Sequence, residues 1–286
     1  MKILKKILEK RNYIILFIII VLFIWILFFN KREIYLKSFN YFNETITYKI
    51  YDNIDKNKVT KDINDIYKKY TNYNKKLNQK KLNENMNSLL EYGKLLYYNT
   101  NGYIDITSGD LYKNIKNNKE YTFTSKIDKI GKEKINYNFE NIISAYATND
   151  VIYYFKQNNI KKYIVNQNGD ITVGKRYNKD KYKISLLDNE KLMNILKLEN
   201  KSVATRKNGK FKSYMVNPKT SKKEEKYEMV VVIANDNLTA NMLANTLYLM
   251  DVDSGKEFIK KYNASALWKT NDETYQTDNF KNYISN

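Results

Sequence analysis

The chain has no cysteine and no histidine, one proline (Pro218) and only eight glycines among 286 residues. Without cysteine there are no disulfides, thiolate metal sites, cysteine nucleophile or cysteine-linked lipid anchor. Without histidine, the commonest metal ligand and the commonest general base near neutral pH are both missing. Any chemistry must then rest on carboxylates, hydroxyls, lysine, tyrosine or a hard metal held through oxygen. P-loop, GxGxxG, zinc-ligand and nucleophile-elbow motifs are missing too, as are internal repeats and low-complexity linkers.

What remains is a globular composition, 43% hydrophobic, long enough for one large domain or two small ones with a real core. Net charge is +19, from 50 Lys+Arg against 31 Asp+Glu. Residues 1–32 hold seven basic residues and Glu9, which leaves +13 on the remainder. Such a balance suits nucleic acid, anionic lipid or an anionic wall polymer. Lysine, however, is spread without a dense cluster through a chain rich in Asn, Ile and Tyr, the usage of a low-GC genome. No nucleic-acid partner is expected, and a basic wall- or lipid-associated role is the weakest of the functional readings.

Tyr13 to Phe29 is a run of 17 uncharged residues, at the lower edge of a membrane-spanning helix. Lys2, Lys5, Lys6, Lys10 and Arg11 precede it, which predicts a cytoplasmic N-terminus. Phe28-Phe29-Asn30-Lys31-Arg32 lacks the small residues of a signal cleavage site. The expected organisation is a basic cytoplasmic segment over 1–12, a membrane anchor over 13–30 and an extracytoplasmic domain over 33–286. That makes a single-pass protein of the cell membrane.

Along the rest of the chain, alternation predicts a strand over Thr45–Tyr51, and helical spacing predicts helices over Asp62–Tyr70, Asn85–Tyr98 and Ile142–Phe155. Tyr121–Ile130 reads as a strand pair. Lys162–Val165, Ile171–Val173 and Tyr182–Leu187 read as short strands, with a turn at Asn168-Gly169-Asp170. Strands and helices mix without a βαβ beat, so the expected class is α+β in one domain.

Met229–Met250 is the most informative stretch. Met229–Ala234 is apolar throughout, as for a strand buried on both faces. Asn235-Asp236-Asn237 turns the chain, and Thr239 is placed to cap a helix over Ala240–Met250. Ala240, Leu243, Ala244, Leu247 and Met250 make its core face. Asn241 and Asn245 share another side, which is either a solvated stripe or the wall of a site.

Four blocks in order resemble the ApbE family of FAD:protein FMN transferases. Asn101–Leu111, NGYIDITSGDL, is similar to the family's G-x-F-D-I-T-V-G-P-L. Asn138–Asp150, NFENIISAYATND, is similar to D-L-G-G-I-A-K-G-Y-A-V-D, with Asn166–Ile171 standing at N-x-G-G-D-I. Ser202–Ser221 resembles the A-T-S-G block followed by S-H-I-I-D-P-R-T-G, and Val230–Asp251 resembles the strand–helix block that ends in A-D-A-L-A-T-A-L. The resemblance spans roughly residues 40–280 and implies one α+β domain of mixed sheets and flanking helices. It also implies FAD and Mg²⁺ as cofactors, with transfer of FMN to a Ser or Thr of an extracytoplasmic flavoprotein.

By that resemblance the family's metal-site positions fall on Asn141, Asn241 and Asn245, and its flavin-nucleotide contacts fall on Asn138, Ser144 and Met215. The family's Asp, Thr, Lys and His at several of these blocks are replaced here: Asp by Asn241, Thr by Asn245, Lys by Ser144, His by Tyr214. The S-G of A-T-S-G has become Arg206-Lys207, and the early M-G-T reads Phe42-Asn43-Glu44. Two functions follow. One is a membrane-anchored flavin transferase; the other is a catalytically inactive ApbE-like pseudoenzyme serving as a binding or interaction module.

Overall fold

The computed structural model describes residues 18–19, 34–78, 86–140, 142–178, 180–188, 191–208 and 215–285. Apart from Ile18 and Ile19, the expected anchor lies outside them. Among the described residues no helix is long and apolar enough to cross a membrane.

Twelve strands and six α-helices are described. They run β1 Tyr35–Tyr41, β2 Glu44–Ile50, α1 Lys56–Asn78, α2 Asn87–Asn99, α3 Gly109–Lys116, α4 Ile143–Gln157, β3 Tyr163–Gln167, β4 Asp170–Val173 and β5 Tyr182–Asp188. They continue with β6 Lys191–Leu198, β7 Lys201–Lys207, β8 Met215–Asn217, β9 Lys222–Glu224, β10 Met229–Ala234, α5 Asn237–Leu249, α6 Val252–Ile259, β11 Ser265–Lys269 and β12 Thr274–Gln276. Eight strands form one sheet in the order β1-β2-β3-β4-β7-β10-β11-β12, and β5-β6 and β8-β9 are separate hairpins. Every pairing in the large sheet is antiparallel. This is the expected α+β class, built around one continuous sheet.

The period-2 alternation of the strands sends their side chains to two cores. Val230, Val232 and Ala234 of β10 join Ile46, Tyr48 and Ile50 of β2 and Trp268 of β11 under the helices. Met229, Val231 and Ile233 face the other way, onto Ile184 and Leu186 of β5, Leu196 and Leu198 of β6, and Phe280. The unbroken apolar run of β10 is thus explained: a helix covers one face and a hairpin the other. On α1, Val59, Ile63, Tyr67, Tyr70 and Leu77 are all buried, at the spacing that makes one helical stripe.

Two local expectations change. Tyr121–Ile130 is not a strand pair; it is irregular chain with a short 3₁₀ turn at Ile127–Lys129. Its apolar residues are spaced for pairing but find no neighbouring strand, and propensity yields to context. The cap of α5 is Asp236, one turn earlier than Thr239. Asp236 Oδ1 accepts from Thr239 N at 2.8 Å and Oδ2 from Thr239 Oγ1 at 2.8 Å. A carboxylate satisfies the free N–H groups and also favours the positive end of the helix.

Candidate functional site

The site begins at two tight turns. Phe42-Asn43, with φ of 56° and 60°, joins β1 to β2, and Asn168-Gly169, with φ of 49° and 99°, joins β3 to β4. Positive φ at both central residues matches the strand twist in a two-residue hairpin. The turns deliver Glu44 to the start of β2, and Gln167 and Asp170 as facing residues at the mouth of the β3–β4 hairpin.

Asp170 then reaches across to β7. Its Oδ1 accepts from Thr205 N at 2.9 Å and from Arg206 Nη1 at 3.1 Å, and its Oδ2 from Arg206 Nη1 at 3.2 Å. The pair is well shielded, with side-chain exposures of 13% for Arg206 and 12% for Asp170. Arg206 Nε donates to Asn245 Oδ1 at 2.5 Å, and Nη1 also donates to Thr205 O at 2.8 Å. Asn245 Nδ2 donates to Asn241 Oδ1 at 3.1 Å, and Asn241 Nδ2 donates to Asp170 Oδ2 at 3.3 Å. Four side chains from β4, β7 and α5 therefore close a ring of hydrogen bonds.

Asn241 and Asn245 are 6% and 4% exposed, so they are no solvated stripe. The helix that carries them is buried nearly all round: every residue from Ala240 to Leu249 is buried. Buried amides need partners, and the ring supplies them.

A second line of polar groups leads away from Glu44. Gln167 Nε2 donates to Glu44 Oε2 at 2.9 Å, and Thr148 Oγ1 donates to Gln167 Oε1 at 2.6 Å. Because the single Thr148 proton goes to Gln167, Tyr67 must donate to Thr148, at 2.8 Å, and Tyr48 in turn donates to Tyr67. Burial pushes the Glu44 carboxyl above its usual range and nearby Asp170 adds to this, against the opposing help of Gln167, Arg206 and the Ser144 hydroxyl. Ser144, in the first turn of α4 and 2% exposed, thus sits beside Glu44.

Asn138, Met215 and Asn245 come together on a narrow cavity of about 40 Å³, also walled by Tyr103, Asp105 and Pro218. Asp105 Oδ1 accepts from Thr107 N at 2.7 Å and Thr107 Oγ1 at 2.6 Å, whereas its buried Oδ2 has no partner among the described residues. Tyr103 is shared with an adjoining open groove of about 890 Å³, lined by Lys219, Lys256 and Lys261 together with Asp253 and Glu257. Ligand pockets run at roughly 300–1,000 Å³, so the groove rather than the cavity offers nucleotide-sized room. Next to Ser108, which lines the cavity, Gly109 packs tightly against backbone: a Cβ there would lie 2.4 Å from Asn136 O. Asn141 and Tyr214 lie outside the described residues.

The sequence profile of the ApbE family matches residues 42–268. The chain belongs to the ApbE family. Solved structures agree on the fold: the Vibrio cholerae flavin transferase ApbE is 16% identical with a TM-score of 0.71, covering 88% of this chain and 99% of that one. The Thermotoga maritima ApbE protein is 16% identical with a TM-score of 0.72, covering 89% and 100%. The apo Pseudomonas stutzeri flavinyl transferase ApbE is 15% identical with a TM-score of 0.69, covering 89% and 98%. Curated proteins give no match to this chain.

At the two described positions where the resemblance implies metal contacts, Asn241 and Asn245, the donors do not fit Mg²⁺. That ion wants near-octahedral hard oxygen, usually with one or two carboxylates. Here Asn245 Oδ1 is taken by a guanidinium, Asn241 Oδ1 by an amide, and both oxygens of Asp170 face Arg206. Among the described residues no group of three or more carboxylates gathers where a metal ion could be held. From the sequence, Asp170 reads as part of a turn and Arg206 as one half of the replacement of S-G. The available signal was their opposite charge, but nothing in the spacing of 170 and 206 says that they meet.

Proposed function

We propose that this chain is an ApbE-type flavin-nucleotide protein held at the outer face of the cell membrane by residues 13–30. Its activity is transfer of FMN from FAD to a Ser or Thr hydroxyl of an extracytoplasmic flavoprotein. The observation that carries this reading is the convergence of Asn138, Met215 and Asn245 on one cavity, within a family match that takes in nearly the whole sheet. In the reaction, the target hydroxyl oxygen attacks the FMN-side phosphorus, the bond to the bridging oxygen breaks, AMP leaves with that oxygen, and the hydroxyl proton passes to a base. In a chain without histidine a carboxylate is one of the groups that can take that proton, beside lysine and tyrosine. Asp105, which lines the cavity with one oxygen unspent, is the carboxylate best supported for accepting a donor from bound ligand or target.

A second reading, a catalytically silent binding module, is favoured by one observation: Asn241 and Asn245, where the resemblance implies metal contacts, are neutral amides, and a guanidinium bonds Asn245. One experiment separates the two. The full-length chain is incubated with FAD, Mg²⁺ and a Ser/Thr-containing flavinylation target, and flavin fluorescence on the target and released AMP are measured. Covalent flavin supports the transferase; FAD retained by the protein without transfer supports a silent flavin-binding module; no bound FAD removes the transferase and leaves only an interaction module without flavin. Protease accessibility of the domain in intact cells tests the outward placement.

A further inference from the structure

We propose that Arg206 is the resident cation of this site, standing in for a divalent metal. This rests on the proposed flavin-nucleotide reading for its ligand, but not for its electrostatics. The argument starts from position. Asn245 is where the family resemblance puts a metal contact, and the nearest positive charge to its side-chain oxygen is Arg206 Nε at 2.5 Å.

The guanidinium is fixed, not wandering. Nη1 is held by Asp170 and the Thr205 carbonyl, Nε by Asn245, and the planar fork leaves little rotational freedom once those contacts form. Nη2 makes no hydrogen bond among the described residues, so donors remain for an anion. Arginine is well suited to phosphate because its donors are charged and directional.

The replacements are mutually consistent. A carboxylate at both 170 and 241 would supply the charge a dication needs, but only once no guanidinium occupies the space between them. With Asn241, the local charge is one arginine against Asp170, and the amide of Asn241 itself donates to that carboxylate. The ring of Asp170, Arg206, Asn241 and Asn245 is balanced and satisfied without metal, with the Glu44 carboxyl beside it, and a divalent ion would have to displace a buried cation to enter. An anionic phosphate ligand would therefore meet the Nη2 donors of a guanidinium already fixed in place, and needs no exchangeable ion.

The test is a Mn²⁺ titration followed by electron paramagnetic resonance, on the full-length wild-type chain, Asn241→Asp, and Asn241→Asp combined with Arg206→Ser or Arg206→Gln. Mn²⁺ should stay free with the wild type and with Asn241→Asp alone, and be taken up at submillimolar concentration by the double variants, with circular dichroism checking their fold. Uptake by Asn241→Asp alone, or none by a folded double variant, overturns the proposal. If neither double variant folds, the Asn241→Asp titration decides by itself. A parallel FAD titration reads the ligand: binding should be the same in EDTA and in millimolar Mg²⁺, and should weaken about tenfold in Arg206→Gln. FAD binding that requires Mg²⁺ also overturns the proposal. Absence of FAD binding under both conditions removes the proposed function, and the Mn²⁺ titration then judges Arg206 alone.

Discussion

Arg206 and Asp170 form the ion pair on which the site's electrostatics turn, and their value differs sharply from that of the surface pairs. Removing one partner of a shielded pair leaves the other charge without compensation, so Asp170→Ala should destabilise the domain by about 3–5 kcal/mol in chemical denaturation. Lys260 and Glu257, with side-chain exposures of 68% and 71%, are the control: Lys260→Ala should change stability by less than about 0.5 kcal/mol. Glu44 acts in the opposite sense. Its carboxyl is raised in the folded state, mainly by burial, so folding binds the proton more tightly than the unfolded chain does. Its contribution is favourable below the unfolded pKa and is lost as pH rises through the folded value. Glu44→Gln keeps an acceptor for Gln167 and should raise the melting temperature at neutral pH, with the gain vanishing in acid below the model-peptide range of about 4.3.

At the scale of the element, α5 holds the site because it is capped and buried. Asp236→Ala removes both contacts to Thr239 and should cost about 1 kcal/mol, with Asp236→Asn recovering most of it. The chain beside the cavity depends on close backbone approach at Gly109. Gly109→Ala should destabilise by about 1–3 kcal/mol, because the new methyl meets a carbonyl rather than a flexible side chain. Both effects are readable by thermal unfolding. The same scale explains why 121–130 fails as a strand pair. A strand needs a partner edge, and residues 121–130 pair with no described strand.

For the whole molecule, tyrosine takes much of the load that cysteine and proline would carry in another chain. Burial pushes the phenols of Tyr163 and Tyr248 up to about 12 and holds that of Tyr48 well above its ordinary value. Tyr248 OH donates to Tyr227 O at 2.9 Å, and Tyr227 OH donates to Met250 O at 2.8 Å, so ionisation would break contacts as well as bury charge. A raised phenol favours the folded state fully below its unfolded pKa near 10, and that share is lost as pH climbs towards the folded value. Stability should therefore be flat around neutrality and fall above about pH 10. In an ultraviolet titration the buried tyrosines should ionise late and together, coincident with unfolding by circular dichroism.

The sequence alone determined the elements whose signal is local. The apolar run of β10, the stripe of α1, the Asn168-Gly169 turn and the order of the ApbE blocks are all written in neighbouring residues, where periodicity and turn chemistry act. It also excluded histidine and cysteine chemistry outright. Only the tertiary structure decided which way Asn241 and Asn245 face, that Asp170 is a charge partner as well as a turn residue, and that Arg206 bonds Asn245. Those facts belong to contacts between β4, β7 and α5, far apart in the chain. Burial there forces every polar group to find a partner, and only the folded backbone selects which partner it is.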